Sequence, residues 1–357
     1  IYAARFGGRS CMTRVMHVIS GLDTGGAEAF LVQLATALQL RGFEQEVVSV
    51  TTRGTHAAAL VAADIPVHAL NVGSFAGAMA AAGRLAALIR RMQPDVVQGW
   101  MYYGDLFAAL ANRIVPGKRR LYWNLRASDT VEGGYGRLVH INAKLSAWPD
   151  VVIANSQTGL DFHLQHGYRP RRTEVIPNGV NTGKFRPDVA DRAALRAELG
   201  LAADAVVAIQ VARLNPMKDH ATFLHAMQSL PTLRGLLVGD GTETLGLPGN
   251  VGALGLRGDV ARLYRCADLV VSSSAFAEGF SNVLAEGMSS GLVPVATDVG
   301  DARLIVGDTG QIVPIRDPEA LAKAIATEAG RPDLDARKRA ARARMVENFT
   351  LDRAVER

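Results

Sequence analysis

The sequence predicts an α/β chain made of two doubly wound parallel sheets. Three observations carry that expectation. Short aliphatic runs of strand length alternate with longer stretches of helical periodicity, from residue 14 to residue 347. At 357 residues the chain is too long for one typical core, so two domains are expected. Near its middle, V-I-P-N-G-V-N-T-G-K-F-R-P at 175–187 has the Pro-, Gly- and Asn-rich composition of a linker. We therefore set the first domain at 12–185 and begin the second at 186.

R-V-M-H-V-I-S at 14–20 reads as the first strand, and a helix from about 27 to 41 follows with apolar residues at helical spacing. Further strands are expected near 45–51, 66–70, 95–99, 120–125, 151–154 and 173–176. Helices are expected near 54–63, 77–92, 104–114, 134–147 and 156–166. The last of these is capped by Asn155 or Ser156. In such a sheet ligands bind beyond the carboxyl ends of the strands. The first of those ends reads G-L-D-T-G-G-A-E, which is not G-x-G-x-x-G, and no G-x-x-x-x-G-K-[ST] occurs anywhere. Gly25 and Gly26 still let backbone approach a ligand at a helix N-terminus. Trp100, Tyr102, Tyr103 and Asp105 follow one strand, and Asn124, Arg126, Ser128 and Asp129 follow another; aromatics and hydrogen-bonding groups gathered at strand ends suit a displayed sugar-acceptor surface better than a core. Trp123 reads as a packing residue, and His163 and His166, on a helix, as surface residues.

In the second half, A-V-V-A-I-Q-V-A at 205–212 reads as a buried strand, with R-L-N-P-M-K-D-H after it. Arg213 and Lys218, two cations at a strand's carboxyl end, suit a diphosphate. L-L-V-G-D-G at 236–241 is a strand with its loop, and L-G-L-R-G-D-V-A-R-L-Y at 254–264 a loop and helix. Within 268–297, the runs Leu269-Val270-Val271 and Leu292-Val293-Pro294-Val295 look like buried parallel strands. Between them lie a loop with Gly279 and a helix opening at Ser281 or Asn282, whose free N–H groups suit a phosphate. Glu278 and Glu286 flank that anion site. Acids repel phosphates, so the pair makes sense if each accepts hydrogen bonds from neutral hydroxyls on either side of the phosphates. A nucleotide-sugar has that layout. Two acids at this spacing also arise as plain solvent-facing side chains, but the position between two buried strands favours the ligand. Residues 317–347 read as helices, with a solvated basic face from Arg337 to Arg344.

Composition excludes several classes. Cys11 and Cys266 are too few for a disulfide framework, which makes a reducing cytoplasm the default. The longest uncharged stretch, 65–83, contains Pro66, His68, Asn71 and several glycines and does not read as a spanning helix. No secretory signal is convincing, and Met12 is the expected natural start. Residues 12–185 carry 17 basic and 12 acidic side chains, and residues 186–357 carry 20 and 22. The basic excess of the first half fits an anionic partner such as a membrane surface, and equally plain scatter, since its densest run, Lys118-Arg119-Arg120, precedes a strand at the end opposite the expected ligand cleft. No basic groove interleaved with aromatics argues for nucleic acid, and no metal-ligand cluster is evident.

The E-x7-E spacing around G-F-S-N-V-L-A-E resembles the retaining glycosyltransferases of family four, which have the GT-B fold. The G-G-A-E turn, V-I-P-N-G-V-N at the interdomain join and V-A-R-L-N-P-M-K-D-H extend the resemblance over nearly all of 12–350. It implies two Rossmann-like domains facing a cleft, the donor held by the second and the acceptor mainly by the first. The second domain then runs over 186–346, and 347–357 begins a helix crossing back to the first. The donor set is Gly25, Gly26, Arg213, Lys218, Arg257, Glu278, Gly279, Phe280, Ser281, Asn282, Val283 and Glu286, with the nucleobase held near Leu256 and Arg257 largely through backbone. Relatives commonly face the donor sugar with a histidine at a first-domain strand end; here none occurs between His68 and His140. Asn124, Arg126 and Asp129 are the residues available there and join Arg213, Lys218 and Glu278 as catalytic candidates. Asn181 and Asp301 are further departures.

The reaction implied is transfer of a sugar, a hexosyl group foremost, from a nucleotide-sugar to a glycan or lipid-linked acceptor of polysaccharide assembly, without a metal. The protein is expected in the cytoplasm, with peripheral attachment at the inner face of the membrane. Two rivals remain: a GT-B nucleotide-sugar epimerase, and a non-catalytic nucleotide-sugar-binding subunit.

Overall fold

A computed structural model describes residues 12–23, 25–73, 75–126 and 135–357. The chain divides into two compact units, one reaching to Asn178 and taking in Ala354–Arg357, the other spanning Gly179–Arg353.

In the first unit, strands β1 (Arg14–Ile19), β2 (Glu44–Ser49), β3 (Val67–Ala69), β4 (Val96–Trp100), β5 (Arg120–Leu125), β6 (Val151–Ala154) and β7 (Thr173–Val175) alternate with helices. These are α1 (Gly26–Gln39), α2 (Ala57–Ala62), α3 (Phe75–Met92), α4 (Met101–Ile114), α5 (Gly136–Leu145) and α6 (Gln157–Gln165). The sheet is parallel throughout, in the order β3-β2-β1-β4-β5-β6-β7.

The second unit runs α7 (Val189–Glu198), β8 (Val207–Val211), α8 (His220–Gln228), β9 (Arg234–Val238), β10 (Val251–Ala253), α9 (Val260–Cys266), β11 (Leu269–Ser272), α10 (Asn282–Ser289), β12 (Val293–Thr297), α11 (Ala302–Val306), β13 (Gln311–Val313), α12 (Pro318–Ala329), α13 (Leu334–Asn348) and α14 (Leu351–Glu356). Its parallel sheet has the order β10-β9-β8-β11-β12-β13. The expected strand and helix alternation is present in both halves, with ends displaced by a few residues, while the short edge strands β10 and β13 are not among the expected ones.

Successive residues of one strand feed cores on opposite faces of the sheet. Val270 belongs to one apolar cluster, and Leu269 and Val271 to the other. The same alternation separates Val207 and Ile209 from Ala208. This is why the strands read as continuous aliphatic runs. Each valine, leucine or isoleucine among them, fully buried, contributes about 1.5–3 kcal/mol.

The division at Asn178 comes before the expected limit at 185. Val180 donates its N–H to Phe349 O at 2.8 Å and accepts from Leu351 N–H at 3.0 Å, and Phe185 is buried in a core of the second unit. Gly179 permits this, since a Cβ there would sit 2.4 Å from Leu351 Cα.

The basic face of α13 is not simply solvated, contrary to expectation. Lys338 reaches the buried Asp268 at 2.6 Å, joined there by Arg192 at 2.7 Å and Arg196 at 2.9 Å. Arg337 pairs with buried Glu328 at 3.0 Å, and Arg344 donates to Ile305 O at 2.8 Å. Arg342 donates to Phe185 O at 3.1 Å and to Ser289 O, placing a cation on the C-terminal end of α10. Buried carbonyls and acids out-compete water for these guanidiniums because they would otherwise be orphaned. No helix among the described residues is long and apolar enough to cross a membrane.

Candidate active site

Strands β8 and β11 are neighbours although far apart in sequence, and the winding of the second sheet reverses between them. Doubly wound sheets open a ligand crevice at such a reversal. Beyond β8 the chain makes one 3-10 turn, Pro216–Lys218, capped by Asn215, whose Oδ1 accepts Met217 N–H at 2.8 Å. Asp219, at φ 44°, then caps α8. The turn is stapled to the loop after β11. Ser273 Oγ lies 2.9 Å from both the Lys218 and Asp219 carbonyls, and Ala275 N–H donates to Met217 O at 2.8 Å. The staple delivers Lys218 Nζ to 2.6 Å from Glu278 Oε2, with only 19% and 13% of the two side chains exposed.

The Glu278 loop is held from the other side by residues after β12. Gly300 has φ +59°, and a Cβ there would meet Glu278 O at 2.2 Å, so only glycine allows the approach. Asp301 N–H donates to Gly279 O at 3.0 Å. The segment carrying Glu278 and Gly279 thus enters α10 in a defined position.

Ser281 is the N-cap of α10, yet its side chain makes no cap hydrogen bond, and its buried Oγ has no partner among the described residues. That hydroxyl and the first N–H groups of the helix are what a bound anion would engage. Asn282 opens the helix. Phe280 turns inward and stacks 5.6 Å from Phe349, so its side chain belongs to the core; Val283 packs against the same cluster. Glu286 lies one turn in. Burial pushes its carboxyl up to about 7, against the opposing pull of Lys184 and the Tyr264 hydroxyl. Gly287 seats α10 on β11, where a Cβ would lie 2.6 Å from Val270 Cβ.

Arg213 is exposed and makes no ion pair among the described residues. Gly239, at φ +150°, lets the loop after β9 approach Ala212 O, which a Cβ would meet at 2.1 Å. Arg257 is tied to Asp259 by a two-pronged contact of 2.8 and 2.7 Å, so its guanidinium is already engaged. Leu256 beside it is 69% exposed, on a loop held through Gly239 N–H to Gly255 O at 2.8 Å.

In the first unit, Gly25 caps α1 in extended backbone, and a Cβ there would strike Glu28 Oε2 at 2.2 Å. The chain's own carboxylate therefore occupies the space beside Gly25. Asn124 is buried, donates to Gly99 O at 3.2 Å and accepts from Arg126 at 3.2 Å. The Arg126 guanidinium lies over Phe30 at 4.7 Å and Trp100 at 4.5 Å and reaches Asn178 Oδ1. Burial brings Arg126 down to about 9, while Asp105 works the other way. Burial pushes the Asp105 carboxyl well above the usual range. Asp129 and Ser128 lie outside the described residues.

Two readings of the sequence need correcting here, and one buried residue lies outside them. Trp100, Tyr102 and Asp105 are buried rather than displayed; only Tyr103 of that group is exposed, at 39%. His163 is buried, with Nδ1 2.7 Å from Gly159 O and Nε2 3.1 Å from the Tyr102 hydroxyl. Buried His17 went unnoticed: it accepts Trp100 Nε1–H at 3.2 Å and is pushed down to about 4 by burial, so it is neutral at pH 7. The signal available was a polar residue inside an otherwise apolar strand.

Known proteins resemble this chain over both units. Residues 24–184 match the family model described as Glycosyltransferase Family 4, and residues 205–328 match Glycosyl transferases group 1. The D-inositol 3-phosphate glycosyltransferase of Streptomyces coelicolor is 27% identical over 97% of this chain and 88% of that protein. The lipopolysaccharide core biosynthesis glycosyltransferase LpsE of Rhizobium meliloti is 28% identical over 87% of each. Among solved structures, Anabaena HepE in complex with UDP and glucose superposes with a TM-score of 0.85, at 25% identity over 97% of this chain and 98% of that one. With one family model on each half and relatives spanning the whole, the chain is a glycosyltransferase of the GT-B fold.

Proposed function

We propose that this protein moves a hexosyl group from a UDP-sugar to a glycan or lipid-linked acceptor, with retention at the anomeric carbon, as a family-four enzyme. The observation that carries the reading is the Lys218–Glu278 pair at 2.6 Å, fixed beside the α10 N-terminus with its Ser281 hydroxyl, which has no partner among the described residues. The UDP and glucose bound to the Anabaena relative support the choice of donor.

In this scheme Arg213, Lys218 and the first N–H groups of α10 take the diphosphate, Glu286 accepts the ribose hydroxyls, and Glu278 accepts hydroxyls of the sugar. The bond from the anomeric carbon to the diphosphate oxygen breaks. The acceptor oxygen bonds to the same face, and its proton passes to a donor phosphate oxygen. Glu278 and Glu286 bind hydroxyls and are not the acid and nucleophile of a glycosidase. The two cations neutralise the leaving group, so the scheme uses no metal, and chelation with EDTA should leave turnover unchanged. Asn124 and Arg126, with Asp129, are proposed to serve the acceptor side.

Incubation with UDP-sugars, with and without acceptor glycans, tests the reading. UDP release that requires acceptor, with product of unchanged anomeric configuration by NMR, is expected. Interconversion of the donor alone would make the protein an epimerase, and binding without release a non-catalytic subunit. We also propose that the basic first unit works at an anionic membrane surface on the cytoplasmic side. Co-sedimentation with vesicles should then need anionic lipid and fade with salt. Equal recovery in the supernatant with neutral and anionic vesicles would leave only a soluble acceptor.

A further inference from the structure

We propose that the first unit carries a second carbohydrate site, specific for an acidic sugar, at the amino ends of β5 and β6. Asn124 and Arg126 lie at the other end of that sheet, so this is a separate place on the unit. A concavity of about 640 Å³ opens there, lined among others by Asn112, Arg113, Arg119, Trp148, Asp150 and Arg171. That is the size of a small-ligand pocket.

Each wall group asks for a complementary one. Arg119 is fixed in place, donating to Val115 O at 2.8 Å and Pro116 O at 2.7 Å. Arg113 and Arg171 are exposed and make no ion pair or hydrogen bond through their side chains among the described residues. The one carboxylate, Asp150, accepts Leu121 N–H at 2.9 Å, which leaves the guanidiniums in excess. Guanidinium forks match a carboxylate or a phosphate ester. Asn112 Oδ1 is buried without a partner among the described residues and calls for a hydroxyl donor. Trp148, 41% exposed, offers an apolar face of the kind that covers the C–H side of a pyranose ring. Anion, hydroxyls and a flat apolar face meet in an acidic sugar. Asn112 lines a concavity, which a sugar enters and a bilayer surface does not. On the glycosyltransferase reading, which gives the site its meaning, it would hold a charged unit of the glycan away from its reacting end.

Of the three tryptophans, Trp100 and Trp123 are fully buried, so quenching of exposed indole fluorescence reports on Trp148. Trigalacturonate and glucose 6-phosphate, one a carboxylate probe and one a phosphate probe, are titrated at low salt, with maltotriose as the neutral comparison. Saturable quenching by at least one charged probe and not by maltotriose is expected. The Arg113→Ala, Arg171→Ala double variant should lower that affinity at least tenfold while UDP binding, followed by calorimetry, stays unchanged. No saturable binding of either charged probe, or equal binding of maltotriose, overturns the site. Vesicle binding that is lost in the double variant, without probe binding, reassigns the groove to a membrane. Loss of UDP binding in the unsubstituted protein would instead sink the donor assignment and leave this site standing.

Discussion

Lys218 Nζ stands 2.6 Å from Glu278 Oε2, so the cation assigned to the diphosphate and the carboxylate assigned to the sugar form one sheltered pair. A donor entering this crevice must share Lys218 with Glu278. Lys218→Ala and Arg213→Ala should each weaken UDP binding by about 1.5–3 kcal/mol. Glu278→Gln should leave UDP affinity equal or tighter, because Nζ is no longer shared, and still reduce turnover with the full donor. Calorimetry and steady-state rates check this. Unchanged affinity in both cation variants would remove the diphosphate assignment.

Glu286 provides a pH signature. Its carboxyl is raised from 4.5 to about 7, so the folded protein holds this proton more tightly than the unfolded chain. Stability from this group is fully present below the unfolded value and declines as pH rises toward the folded one, at no more than about 1.4 kcal/mol per unit. Glu286→Gln should flatten that decline in melts between pH 5 and 8. If the ionised carboxylate receives the ribose hydroxyls, UDP affinity should rise through pH 7 in the native protein and lose that rise in the variant. A parallel pH dependence in both proteins would separate Glu286 from the nucleotide.

Gly287→Ala sets two effects against each other. Alanine favours a helix over glycine by about 0.5–1 kcal/mol. Its methyl would meet three Val270 carbons at 2.6–2.8 Å, and overpacking of that kind costs about 1–3 kcal/mol. Overpacking should win, lowering the melting temperature and loosening UDP binding as the start of α10 shifts. A stabilised variant would show that α10 has slack against β11.

Arg126→Lys keeps the charge and loses the planar stack on Phe30 and Trp100. We expect about 2 kcal/mol of lost stability, the size of a desolvated cation–π contact, with a change in near-UV dichroism from Trp100. Retained stability in the lysine variant would mean that charge alone is required there.

Much of this protein was legible because short-range rules suffice for it. Strands buried on both faces show as aliphatic runs, and their alternation with helices set out both sheets and the stretch 268–297 with its helix start. The start of α10 at Ser281 and Asn282 could be read from neighbouring letters. Burial could not. His163 looks like a helix-surface histidine until Tyr102, on another helix, is found at 3.1 Å from its ring.

The sequence by itself therefore determined the two doubly wound sheets, the segment that carries Glu278 and Glu286, and the residue types gathered at the strand ends. Tertiary structure decided which of those side chains meet. Lys218 and Glu278 come together because β8 and β11 pair across the reversal in winding. The α13 arginines are drawn off the surface by the carbonyls of Phe185, Ser289 and Ile305. Ion pairing and desolvation depend on groups far apart in the chain, and no local pattern of residues encodes that distance.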